Sequence, residues 1–114
     1  MANTFKLKTR AGIDTSLATV YTVPASKTTV IIGLTLTNIK GASITASVQV
    51  SSNTVDVETN VDVYVIKDIP IPSGSSVEVM AGNKIVLQTT DILKVSTSVV
   101  DGVDAVLSIM ESDV

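Results

Sequence analysis

Nearly the whole chain keeps a two-residue rhythm, clearest from Thr28 to Asn38. That is the repeat of an extended strand, whose successive side chains point to opposite faces. On this reading Val30, Ile32, Leu34 and Leu36 share one face, and Thr29, Ile31, Gly33, Thr35 and Thr37 share the other. Further alternating runs are Leu17 to Val23, Ile44 to Val50, Val61 to Ile69, Val77 to Met80, Lys84 to Gln88, Ile92 to Ser98 and Val103 to Met110. The side chains agree with the rhythm. Valine, isoleucine and threonine make up 45 of 114 residues, and β-branched residues are stiff in helices and pack well on a pleated surface.

Turn residues punctuate the runs. Residues 11–16 read as a loop, Pro24 to Lys27 as a turn, and Asn38 to Gly41 as another. Residues 51–60 form a polar hairpin loop on this reading. Pro70 and Pro72 exclude a central strand there, because proline has no N–H to give to a ladder. Gly82-Asn83-Lys84 and Asp101-Gly102 read as hairpin turns. Eight or nine short strands at this spacing, with no amphipathic helix, predict a single antiparallel β-sandwich of jelly-roll or immunoglobulin-like type. Residues 1–10 are expected to be an N-terminal arm or edge strand, and residues 11–114 the sandwich domain.

The missing residue types narrow the function. The sequence has no histidine, cysteine or tryptophan. It therefore lacks the usual general base, the thiol nucleophile and the commonest transition-metal ligands. Ser26 and Lys27 are adjacent, so an extended backbone turns them to opposite faces and they cannot form a Ser–Lys catalytic pair. The expectation is a non-enzyme with no cofactor and no bound metal. A net charge of −3 argues against nucleic acid as the main partner, and no apolar stretch is long enough to span a bilayer as a helix. Only Phe5, Tyr21 and Tyr64 are aromatic, which is poor provision for a glycan-binding platform.

Two segments stand out as candidate interaction surface. Phe5 and Leu7 alternate with Lys6, Lys8 and Arg10, giving one apolar and one basic face. Such a segment suits docking by strand addition, or is an edge strand whose charges discourage aggregation. Asp56 and Glu58, with Asp62, share parity in and beside the 51–60 loop. They lack the glycine-punctuated spacing of a calcium loop, so a solvated polar loop is the simpler reading, with Asp56 and Glu58 as candidate interaction surface. Charge is also split along the chain: ten of the eleven carboxylates lie after residue 50.

The run from Ala18 to Thr28 (Ala-Thr-Val-Tyr-Thr-Val-Pro-Ala-Ser-Lys-Thr), followed by Val30 to Leu34 and Asn38, carries a resemblance. So does Ile69-Pro70-Ile71-Pro72-Ser73-Gly74-Ser75-Ser76, followed by Asn83 to Leu87. Together they resemble small virion structural proteins of tailed bacteriophages, especially of the marine cyanophage type. The likeness covers about residues 16–110. It implies a virion location and a capsid decoration or cement protein that stabilises the head. Its partners would be other virion proteins, the major capsid protein above all, and it would be a homo-oligomer in the particle. The alternative under the same resemblance is a neck, tail or baseplate component or a fibre adaptor. A host- or glycan-binding module is the remaining reading.

Overall fold

The computed structural model describes residues 3–52, 62–80 and 82–113. Nine strands fill it, with no helix among the described residues: β1 (Asn3–Ile13), β2 (Ala18–Thr22), β3 (Lys27–Asn38), β4 (Ile44–Ser51), β5 (Asp62–Ile71), β6 (Ser76–Glu78), β7 (Ile85–Leu87), β8 (Ile92–Thr97) and β9 (Val103–Asp113). Sheet A has the order β1-β9-β3-β6, with β7 also paired to β3; sheet B has the order β2-β8-β4-β5. All pairings are antiparallel.

The topology follows from nested pairing. β1 pairs β9, β2 pairs β8, β3 pairs both β6 and β7, and β4 pairs β5. The chain is thus one long antiparallel ribbon, and successive pairs fall alternately in sheet A and sheet B. This wrapping is a jelly roll. At each bend the two arms of the ribbon cross between sheets side by side. Gly102 N–H donates to Ile13 O (2.9 Å) and Thr97 N–H to Asp14 O (3.0 Å) at the first bend; Val23 N–H donates to Asp91 O (2.9 Å) at the second; Asn38 N–H donates to Ser75 O (2.9 Å) at the third.

Several turn expectations change accordingly. Asp101-Gly102 is not a hairpin turn, because β8 and β9 lie in different sheets. Gly102 serves the bend by its lack of a side chain: a Cβ there would meet Thr97 Oγ1 at 2.8 Å. Gly82-Asn83-Lys84 is not a hairpin turn either, since β6 and β7 both pair β3 and form two pieces of one interrupted edge. Ala11, Gly12 and Ile13 belong to β1 rather than to a loop. Pro70 lies inside β5, which is allowed because β5 is the edge of sheet B.

The core lies between the sheets. Ile31, Leu34, Leu36, Leu107 and Ile109 come from sheet A; Val48, Leu93 and Val95 come from sheet B. β3 corrects the simple alternation. A bulge between Ile31 and Gly33 shifts the register, so Thr29 and Ile31 face inward before it and Leu34, Leu36 and Asn38 after it. A bulge inserts one residue and reverses the parity beyond it. Ile32 therefore stands on the outside, 39% exposed, instead of joining Leu34 in the core. Glu78 accepts the Leu34 N–H (3.0 Å) and the Thr35 hydroxyl (3.1 Å) next to this irregularity.

Candidate interaction surface

β1 is a paired strand of sheet A along its whole length, not a free arm. Its partners on β9 run from Asn3 opposite Ser112 to Ile13 opposite Val103. The expected alternation is present, but its orientation is the reverse of a usual amphipathic strand. Lys6, Lys8 and Arg10 lie opposite Ile109, Leu107 and Ala105, which are core residues, so the basic row is on the inward side. Phe5 and Leu7 lie opposite Met110 and Ser108 on the outer side, where they are 72% and 64% exposed.

At this edge two of the inward basic residues find partners. Lys6 Nζ lies 2.8 Å from Glu111 Oε1. Arg10 donates from Nη1 to Thr19 O on β2 (3.0 Å), joining the neighbouring edges of the two sheets. Glu111 is buried on β9 and also accepts the Tyr21 hydroxyl from sheet B at 2.5 Å. Tyr21 and Thr29 share a further hydroxyl–hydroxyl bond of 2.8 Å. Lys6, Glu111, Tyr21 and Thr29 thus form a polar network across the end of the core. The Lys6 ammonium, then the Tyr21 hydroxyl, hold the Glu111 carboxyl below the usual carboxylate range. Burial, reinforced by Glu111, pushes the Tyr21 phenol up to about 12. Lys27, close by, is ion-paired with Asp113 and its ammonium is held above its ordinary value by that bond.

The outer face of sheet A extends the apolar side of β1. The ladders place Phe5 beside Met110, Met110 beside Val30, and Val30 beside Val86. This is an apolar row across four strands. Val86 is 59% exposed, Leu7 and Ile32 flank the row, and Val106 lies one row further along. The equivalent row on the outside of sheet B is Thr19, Lys94, Gln49 and Tyr64. Sequence reasoning singled out Phe5 and Leu7 but missed Met110, Val30, Ile32 and Val86. These come together only through strand order, and the bulge beside Gly33 was the one local signal for Ile32.

The other expected elements are more ordinary. Asp56 and Glu58 lie outside the described residues. Asp62, at the start of β5, accepts the Ser51 hydroxyl. A recess of about 390 Å³ beside the first bend is lined by Arg10, Asp14, Ser16 and Thr19 among others. Its arginine already serves Thr19 O, and its backbone is tied by Gly12 N–H to Asp104 and Asp101 N–H to Asp14.

No family model and no curated protein matches the sequence. Among solved structures, the chain is similar to one described as Bacillus endospore appendages, a family of disulfide-linked pili. The TM-score is 0.56 at 11% identity, covering 99% of this chain and 88% of that one. That likeness is one of fold. A structure of infectious bursal disease virus, Gx strain, aligns with a TM-score of 0.46 at 12% identity, over 97% of this chain and 37% of that one. A score at that level does not establish a shared fold.

Proposed function

We propose that the protein is a non-catalytic structural subunit of a virus particle, and that it decorates the head of a tailed phage by clamping neighbouring capsid proteins. The observation that carries this reading is the apolar outer side of β1, with Phe5 and Leu7 exposed on a firmly paired strand. Contiguous apolar surface of this kind marks contact with another protein. The jelly roll supports the reading by analogy, since capsid domains use it often. So do the sequence motifs between residues 16 and 110. A glycan-binding role has less support: Tyr21 is buried, and the Lys67 ammonium covers the Tyr64 ring at 4.9 Å. The sequence has no cysteine, so disulfides cannot link its copies, unlike those of the disulfide-linked pili whose fold it resembles.

Copy number in purified particles tests the proposal, measured by quantitative mass spectrometry against the major capsid protein. Hundreds of copies are expected. A handful would transfer the protein to the neck, tail or baseplate, and absence from particles would overturn the reading.

A further inference from the structure

We infer that the outer face of sheet A is a self-association surface, covered face to face by a second copy of this chain about a two-fold axis near Ser108. The inference goes beyond the particle reading, because it concerns the isolated protein. Among the described strand residues, the carboxylates on this side are Glu78 and Asp104, both toward the same end of the face. Each is already engaged, Glu78 by Leu34 and Met80 N–H groups and Asp104 by Gly12 N–H. The row from Phe5 to Val86 carries no charge at all. A partner of opposite charge finds nothing to read in that row, whereas an uncharged apolar row complements itself, as a two-fold interface requires.

The face is also large enough for a stable interface. β3 has 12 residues. At ~3.3 Å per residue and ~4.8 Å between strands, three long columns and the short pieces β6 and β7 present a face of at most about 40 by 19 Å. That is on the order of 700 Å², close to the ~800 Å² per partner of a standard interface. Sheets also pack well face to face, as the protein's own two sheets do. The alternative route, adding a strand to the free edge of β1, is blunted. Such a strand would set its inward residues against Lys6, Lys8 and Arg10, and inward-pointing charge on an edge is a known guard against pairing.

Sedimentation equilibrium from micromolar to millimolar concentration tests this directly. The wild-type chain is expected to pass from monomer to dimer. Leu7→Lys and Val86→Lys, both at exposed positions, are expected to remain monomeric at every concentration while melting like the wild-type monomer. Thr19→Lys, on the outside of sheet B, is expected to dimerise normally. Should either sheet A variant unfold, Leu7→Ser and Val86→Ser replace them, with weakened dimerisation expected. A wild-type chain that stays monomeric would overturn the inference, as would dimers that survive in the sheet A variants or vanish in Thr19→Lys. None of these results depends on whether the protein is found in particles, so the two readings fail separately.

Discussion

The two outer faces of the sandwich are built from the same kind of strand and differ in what they show to solvent. Outside sheet A the row is Phe5, Met110, Val30 and Val86; outside sheet B it is Thr19, Lys94, Gln49 and Tyr64. Both inner faces supply apolar side chains to one shared core, so that core does not account for the contrast outside. Solvation alone would make both outer faces polar, as antiparallel sheets with one solvated side normally are. Sheet B follows that rule. Sheet A departs from it, and that departure is the ground for proposing its outer face as the contact surface.

The contrast is sharpest on β9, where neighbouring residues face opposite ways. Leu107 is fully buried and Val106 is 39% exposed. Leu107→Ala is expected to cost about 2–5 kcal/mol, and Val106→Ala less than about 0.5 kcal/mol in the monomer. Urea unfolding of both variants at low concentration checks this. A large loss at Val106 would mean that the outer face is already packed within one chain.

The next effect concerns the network that holds the sheets in register. Tyr21→Phe removes the hydroxyl that serves both Glu111 and Thr29. It is expected to cost about 1–3 kcal/mol by denaturant unfolding, because buried groups lose their partner. The same network makes stability depend on pH. Folding lowers the Glu111 pKa, so this contribution is present above the unfolded value of ~4.3 and is lost as the pH falls through the lower folded value. Glu111→Gln should flatten that acid limb. Tyr21 has the opposite sign of shift. Its contribution is intact below its ordinary value of 10.0 and is lost as the pH rises toward about 12. Thermal melts across both windows measure the two limbs.

The smallest effect belongs to sheet B. Lys67 pairs with Asp68 at 3.6 Å and lies over Tyr64, all at an exposed edge. Lys67→Ala is expected to change stability by less than about 0.5 kcal/mol and to leave association untouched.

The sequence made the strand content and the sandwich legible, because a two-residue period with β-branched side chains points to little else. It also made the split of β1 into apolar and basic faces legible. It did not reveal which face looked inward. Ordinary amphipathic logic puts Phe5 and Leu7 inside, but the edge position and the buried Glu111 draw Lys6 in instead. The fate of Ile32 was hidden for a related reason: alternation continues through a bulge, and only the pairing of Ile31 and Gly33 with Ile109 and Ser108 shows that the parity has changed. Hairpin signals such as Asp101-Gly102 misled because a local turn preference does not say whether the next strand stays in the same sheet.

Methyl NMR on dilution tests the central claim most directly, that sheet A and not sheet B is the contact face. Concentration-dependent shifts are expected at Leu7, Val30, Ile32, Val86 and Met110, with Ile92 on the outside of sheet B unmoved. Shifts centred on Ile92, or no shifts at any concentration, would contradict it.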